Sequence, residues 1–346
     1  MEGTKAQTPR NLTFDVLNIL ACLGVIALHH NGLVHTFDGG TRGWVQSLVV
    51  ECVCYCSVPL FMMISGANLL GYRDKYDTGT FFKKRATRTV LPWLAWSVIF
   101  LFWKLRTGEI VLQGDRVKDA LLWIFNFKVE SVYWFFGELF AAYLAIPVLS
   151  AIRKERRLLW YVALLYFIFL GWVPILKTWL HFSWLYKEPS LGNLTGFVVL
   201  GYLLSTEELS GKQRRWLYVL GAAGLLLRFF YTWHFSLLSG VTDTSIKGYS
   251  RFHSVLYACA VFVLALRIPW ARILPGWLKK ALPALSGCSF GVFLIHRMVM
   301  RYEMAWLGLG NSDLVWRLPC ILLTYCLSLL IVAGIKKIPI LKVIVG

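Results

Sequence analysis

The stretch FDVLNILACLGVIALHHNG, residues 14–32, decides the fold class. Its apolar run is long enough to cross a hydrocarbon layer of ~30 Å as a helix. Asp15, Asn18, His29 and His30 nevertheless stand inside it. A cleaved signal peptide has a shorter, plainer apolar core and a small-residue cleavage site, which this stretch lacks. It is expected to stay in the membrane as the first helix.

The pattern repeats outward along the chain. Apolar blocks cover Phe14–Val34, Trp44–Leu70, Thr89–Leu105, Val132–Ile152 and Leu158–Leu176. They continue through Leu191–Leu204, Trp216–Trp233, Phe252–Leu266, Leu285–Met304 and Leu314–Ile335, the sixth and eighth being short. The expected fold is all-α, a polytopic membrane protein of about ten spans, with residues 1–346 as one domain. Of the 346 residues 58% are hydrophobic and 16% charged, against about a quarter charged in soluble domains. Sixteen Trp, fifteen Tyr and twenty-three Phe suit aromatic belts at two interfaces. Thr80–Arg88 and Val117–Phe127 are amphipathic and are candidates to lie along an interface.

A formal net charge of +18 raises the question of nucleic acid as a partner. The cations sit in short loops between spans, so they report topology instead, and no nucleic acid is expected. Lys5 and Arg10 fall on one side, with Arg73, Lys75, Lys83, Lys84, Arg85 and Arg88. Arg153, Lys154, Arg156, Arg157, Lys212, Arg214 and Arg215 join them. Arg267, Arg272, Lys279, Lys280, Lys336, Lys337 and Lys342 complete the set. Excess Lys and Arg mark cytoplasmic loops, so both termini are expected in the cytoplasm. The eight cysteines all fall in apolar segments, which speaks against a disulfide framework. Cys52, Cys54 and Cys56 resemble a metal cluster, but on a helix Cys54 points away from the other two; no metal is expected.

Ionisable groups within spans are costly and are paired, wetted or functional. The topology sends His29, His30, Glu51, Glu138, Arg228, His234, His296, Arg297, Arg301 and Glu303 toward mid-depth or the outer half. A polar cavity open to the outside accounts for the set; interfacial placement or helix-joining ion pairs account for any one member. His29 is the sharpest candidate, because imidazole removes a hydroxyl proton near neutral pH. His30 points about 100° away from it. On the inner side, Lys84, Arg85 and Arg88 form a cluster suited to phosphate, although ordinary positive-inside anchoring produces the same charges. In ISGAN, Ser65 and Gly66 permit close helix approach and Asn68 is placed to bond across helices.

These positions also carry a resemblance. FDVLNILACLGVIALHHNG is similar to the D-x-L-R-x-x-A-x(7)-H opening of the acyltransferase 3 family, through Asp15, Leu17, Ala21 and His29. VPLFMMISGANLL (Val58–Leu70) resembles its V-P-x-F-F-x-I-S-G segment, and FFKKRATRTVLPW its R-x-x-R-x-x-x-P stretch through Arg85, Arg88 and Pro92. YWFFGELFAAYL (Tyr133–Leu144) resembles its W-F-x(6)-Y helix. SFGVFLIHRMVM (Ser289–Met300) resembles its closing F-G-x-Y-L-x-H helix, which puts His296 on a recurrent histidine.

The resemblance implies a membrane O-acyltransferase of the bacterial plasma membrane. It would move an acyl group, usually acetyl from acetyl-CoA, to a hydroxyl of an extracytoplasmic glycan or lipid-linked sugar. His29 would be the base, with His296 and Glu138 beside it. Arg85, Arg88, Lys84 and Asn18 would hold the donor, and Trp134, Tyr143, Ser65 and Asn68 would meet substrate. Asn18 departs from the family's arginine; it retains an amide that can donate to an oxyanion, and Arg228 is a candidate substitute charge. A narrower likeness, to the membrane domain fused to the serine racemase of vancomycin resistance, keeps a second reading open. That reading is a carrier for small, amino-acid-like molecules, or a non-catalytic membrane domain.

Overall fold

The computed structural model describes residues 11–181 and 191–346, so Lys5 and Arg10 lie outside the described residues. Every regular element among them is helical. The first half comprises α1 (Leu12–His30), α2 (Arg42–Cys54), α3 (Ser57–Leu69), α4 (Thr78–Arg85), α5 (Leu91–Arg106), α6 (Arg116–Phe125) and α7 (Trp134–Ala151). Then come α8 (Arg156–Tyr166), α9 (Val173–Leu180), α10 (Thr195–Thr206), α11 (Gly211–Ser239) and α12 (Phe252–Arg267). The chain finishes with α13 (Trp270–Ile273), α14 (Gly276–Leu307), α15 (Leu314–Arg317) and α16 (Pro319–Lys337). Among the described residues, eight helical rods are long and apolar enough to cross a membrane, and α10 and α12 are shorter apolar helices between them. Both stand where the sequence places its short sixth and eighth spans. A helix of twelve residues is only about 18 Å long. It is tolerated because α10 is buried nearly all round, between α3, α7, α8 and α12, and needs no lipid-length face.

Three rods are interrupted, and a proline four residues downstream accounts for each interruption. Proline donates no hydrogen bond and its ring crowds the carbonyl of residue i−4. Pro59 thus breaks the second rod at Tyr55 and Cys56, between α2 and α3. The expected single helix Trp44–Leu70 is therefore two. Pro92 acts on Arg88, inside a π-helical turn at Ala86–Val90 that joins α4 to α5. Pro174 acts on Leu170, inside a second π-helical turn at Phe167–Trp172, and the Arg251 guanidinium donates to the freed Leu170 carbonyl at 3.1 Å. The amphipathic stretch Thr80–Arg88 consequently does not lie flat as a separate segment: it continues into the third rod, Thr78–Arg106. Helix α6 does remain separate, with Val117, Leu121, Leu122 and Phe125 exposed on its apolar face.

Glycine sets the closest approaches. A Cβ on Gly66 of α3 would collide with the Val198 carbonyl of α10, and one on Gly201 of α10 with the Met63 carbonyl of α3. With no hydrophobic drive between helices in lipid, this backbone proximity carries the packing. Helix α1 lies against α2, α3, α14 and α16, which places His29 and Asn18 in the middle of the bundle.

Candidate active site

Two cavities lie along α1, and each draws on one end of the bundle. The first, about 220 Å³, is lined by Val25, Leu28, His29, His35, Glu51, Tyr55, Val58, Val132, Trp134, Phe135, Lys247, Tyr249 and Phe293. These residues come from the ends of the rods away from Arg85 and Arg88, the side expected from loop charge to be the outer one, and from the α11–α12 connection. The second, about 170 Å³, is lined by Asn18, Phe61, Ile64, Ser65, Thr89, Phe135, Leu139, Tyr143, Ser286, Ser289, Phe290 and Phe293. It lies toward the end of the bundle that carries the basic clusters. Phe135 and Phe293 belong to both walls.

His29 projects into the outer cavity and takes no hydrogen bond from any described residue. Its ring centroid lies 5.5 Å from that of His296, which is wholly buried on α14. His296 Nδ1 stands 2.8 Å from the Phe293 carbonyl oxygen. A carbonyl only accepts, so Nδ1 carries the proton and neutral His296 presents Nε2 as an acceptor. That Nε2 is buried and without a partner. The two imidazoles thus stand side by side, with the His296 Nε2 acceptor unpartnered and His29 facing the cavity.

The adjacent histidine is used differently. His30 Nδ1 bonds the Trp316 carbonyl oxygen at 2.9 Å and its Nε2 bonds Thr324 Oγ1 at 2.8 Å. Thr324 in turn bonds Glu303. His30 thus ties α1 to α15 and α16 and faces away from the cavity.

Around His29 the outer cavity combines charge with flat aromatic surface. Glu51 is paired with Lys247 at 2.6 Å and with Arg228 at 3.3 Å. The Arg228 guanidinium lies 3.5 Å over the Tyr55 ring. Tyr55 stacks on Tyr249 at 4.1 Å, and Tyr249 on Trp134 at 5.5 Å, giving one column of rings. The proline-induced break after α2 is what turns Tyr55 into this column. Burial, reinforced by the Lys247 ammonium, holds His35 below the ordinary histidine range. Outside the cavity lining, Glu130 is buried among Lys104 at 3.1 Å, Arg297 at 3.6 Å and Arg301 at 3.3 Å. Burial alone would raise its carboxyl, but the three cations outweigh that and hold it below the usual carboxylate range.

The inner cavity is uncharged apart from what borders it. Tyr143 Oη meets Thr89 Oγ1 at 3.3 Å, and the Arg85 guanidinium lies 5.7 Å from the Tyr143 ring. Arg85 Nε is buried without a partner. Arg88 is exposed in the π-helical turn, and Lys84 lies 3.7 Å over the Tyr76 ring. Of the three cations read as one cluster, Arg85 alone adjoins the cavity wall.

Several expected site residues stand elsewhere. Glu138 accepts from Asn193 Nδ2 at 2.8 Å and from the Leu194 amide at 3.0 Å, so it serves the start of α10 instead of lining a cavity. Asn68 is exposed at the end of α3 with no bond across helices among the described residues, whereas Ser65 lines the inner cavity and donates to the Phe61 carbonyl at 2.9 Å. Asn18 Nδ2 donates to both the carbonyl and the hydroxyl oxygen of Ser286, each at 3.1 Å, which leaves no amide hydrogen for an oxyanion. Arg228 belongs to the outer cluster and does not replace a charge at Asn18. His234 is exposed on α11, and Glu303 lines a separate, largely apolar groove with Trp96, Tyr302 and Trp306. Lys247 and Tyr249, in a loop without a periodic pattern, and His35, at the end of the short 3-10 helix Gly32–His35, were not legible as site residues. Tyr55, four residues before Pro59, had a signal in the sequence.

The sequence model of the acyltransferase 3 family, described as an acyltransferase domain, matches residues 11–333. No curated protein and no solved structure matches the chain.

Proposed function

The chain belongs to the acyltransferase 3 family and is a membrane acyltransferase; from that premise we propose that it moves an acyl group from cytoplasmic acyl-CoA to a sugar hydroxyl outside the membrane. The whole chain would act as one catalytic domain, in a bacterial plasma membrane. The observation that carries this reading is the pair of cavities on either side of Phe135 and Phe293, with His29 lining the outer one and the buried His296 ring 5.5 Å behind it. Membership of an acyltransferase family displaces the carrier reading.

In this mechanism Arg85 meets a donor phosphate at the basic end, where a guanidinium with an unpartnered Nε offers charge-assisted hydrogen bonds. The hydroxyls of Ser65, Thr89, Tyr143 and Ser289 line the path of a neutral, amide-bearing pantetheine arm. The acceptor sugar enters the outer cavity against the Tyr55–Tyr249–Trp134 column. His29 removes the hydroxyl proton as the oxygen attacks the thioester carbonyl, and the resulting imidazolium donates to His296 Nε2. The C–S bond breaks, the thiolate leaves toward the basic end, and His29 returns the proton to it. Acetyl is the group the family resemblance implies, and a glycan or lipid-linked sugar of the envelope is the acceptor class.

The test is mass spectrometry of envelope glycans from cells carrying the native chain, no chain, or His29→Ala at equal membrane abundance. An acyl increment present only with the native chain supports the assignment. An increment that persists in the His29→Ala cells removes His29 from the base role, and the absence of any acyl difference between native and deleted cells removes acyl transfer to glycans.

A further inference from the structure

Between the two cavities stand the rings of Phe135 and Phe293, with Phe61 beside them on the inner side. Phe135 and Phe293 have ring centroids 5.3 Å apart, and Phe61 lies 6.3 Å from each. Phe135 and Phe293 are buried, and the wholly buried Phe136 supports both, at 6.2 and 5.8 Å. Phe293 is fixed a second way, because its carbonyl accepts from His296 Nδ1. Its ring centroid also lies 5.8 Å from the His296 ring. The ring therefore cannot recede far without disturbing the histidine behind His29, since packed interiors resist such shifts.

We propose that Phe61, Phe135 and Phe293 are an acyl-length filter that restricts the donor to acyl groups of about two to three carbons. The inference rests on the reading that the donor arm occupies the inner cavity and the acceptor the outer one. The thioester carbonyl must then come to the wall to meet a hydroxyl from the far side. Whatever extends beyond the carbonyl has to share space with these rings. An acetyl group extends by one methyl. Each further methylene either displaces a phenyl ring or holds the carbonyl back, and a misplacement of about 1 Å costs on the order of 100-fold in rate. A tight apolar site discriminates a single methylene by roughly 10- to 200-fold, so a sharp limit is within reach of packing alone. The inner cavity, about 170 Å³, leaves little room for a longer tail to fold back beside the arm.

The experiment uses membrane vesicles containing the full chain and their own envelope glycans. They are supplied in turn with acetyl-, butyryl- and hexanoyl-CoA, with the acyl increments on glycan read by mass spectrometry. The native chain is expected to favour acetyl over butyryl by about 100-fold or more. Phe293→Ala and Phe135→Ala are expected to lower that ratio by roughly tenfold or more, with butyryl transfer rising in absolute terms. Phe61→Leu, which keeps most of the apolar volume, should shift the ratio less and serves if either alanine variant fails to fold. An unchanged ratio in a variant that still transfers acetyl overturns the filter. A native chain that transfers all three groups equally overturns it too, while leaving acyl transfer standing. No transfer from any acyl-CoA to native vesicle glycans would instead sink the proposed function and the filter with it.

Discussion

The two cavities share a wall yet are built from opposite materials. The outer one holds His29, His35, Glu51 and Lys247 beside a column of three stacked rings. The inner one offers hydroxyls and an amide, with no carboxylate, imidazole or cation among its lining residues. Charge buried in a membrane is costly unless paired, and the outer charges are paired through Glu51. Chemistry that moves a proton needs such groups, whereas passage of a neutral amide chain does not. Under the proposed function, proton transfer falls on one side of the Phe135–Phe293 wall and donor passage on the other.

The largest expected effect comes from breaking the outer side at its base. His29→Ala should reduce acyl transfer by about 10²- to 10⁴-fold, the usual contribution of a positioned general base. His30→Ala should leave the base intact and weaken the fold by loosening α1 from α15 and α16, so the two neighbours separate activity from stability. Rates in vesicles and thermal unfolding in detergent read the two variants. An equal loss of rate per folded molecule in both would erase the distinction drawn between them.

The next effect tests the Glu130 cluster. Glu130→Gln leaves Lys104 and Arg297 without their carboxylate, while Arg301 keeps Glu109, and uncompensated buried charge costs roughly 3–5 kcal/mol. Its pH dependence follows from a folded-state value held below the ordinary one. The stabilisation is fully present above the unfolded carboxylate value of about 4.3 and disappears as pH falls through the lower folded value. The native protein should thus keep its melting temperature from pH 7 to about 5 and lose it more steeply than Glu130→Gln below about 4. Parallel curves for the two proteins would show that Glu130 does not carry this dependence.

The sequence disclosed the rods, their order and His29 because those signals are local: apolar length, loop charge, and an imidazole inside a span. It placed His296 near His29 only through a family pattern. Contact between residues on α1 and α14 depends on how helices far apart in the chain pack. Glu138 looked like a site carboxylate because depth alone was legible, whereas its bonds to Asn193 and Leu194 depend on where the α10 start falls. The interruption at Tyr55 was readable from Pro59 four residues on, yet the long apolar block concealed it. Lys247 and Tyr249 sit in a connection with no period to read, and only the tertiary fold carries them to Glu51 and Tyr55.

Smaller effects sharpen the inner side. Arg85→Gln removes a charge-assisted donor worth about 1.5–3 kcal/mol, so the KM for acyl-CoA should rise roughly 10- to 150-fold with little change in kcat at saturation. Smaller still is Trp134→Ala in the outer column. Loss of one stacked ring, worth about 0.5–1.5 kcal/mol, should raise the acceptor KM by roughly 2- to 13-fold and leave the KM for acyl-CoA unchanged. Together these variants make the division of labour a measurable crossing: the basic-end change moves donor affinity alone, and the aromatic change moves acceptor affinity alone. If Trp134→Ala altered donor KM as much as acceptor KM, the Phe135–Phe293 wall would not separate two substrates, and the cavities would have to be treated as one continuous site. If Arg85→Gln left donor KM untouched, its unpartnered Nε beside Tyr143 would be a packing feature, and the donor's phosphates would rest on the exposed Arg88 instead.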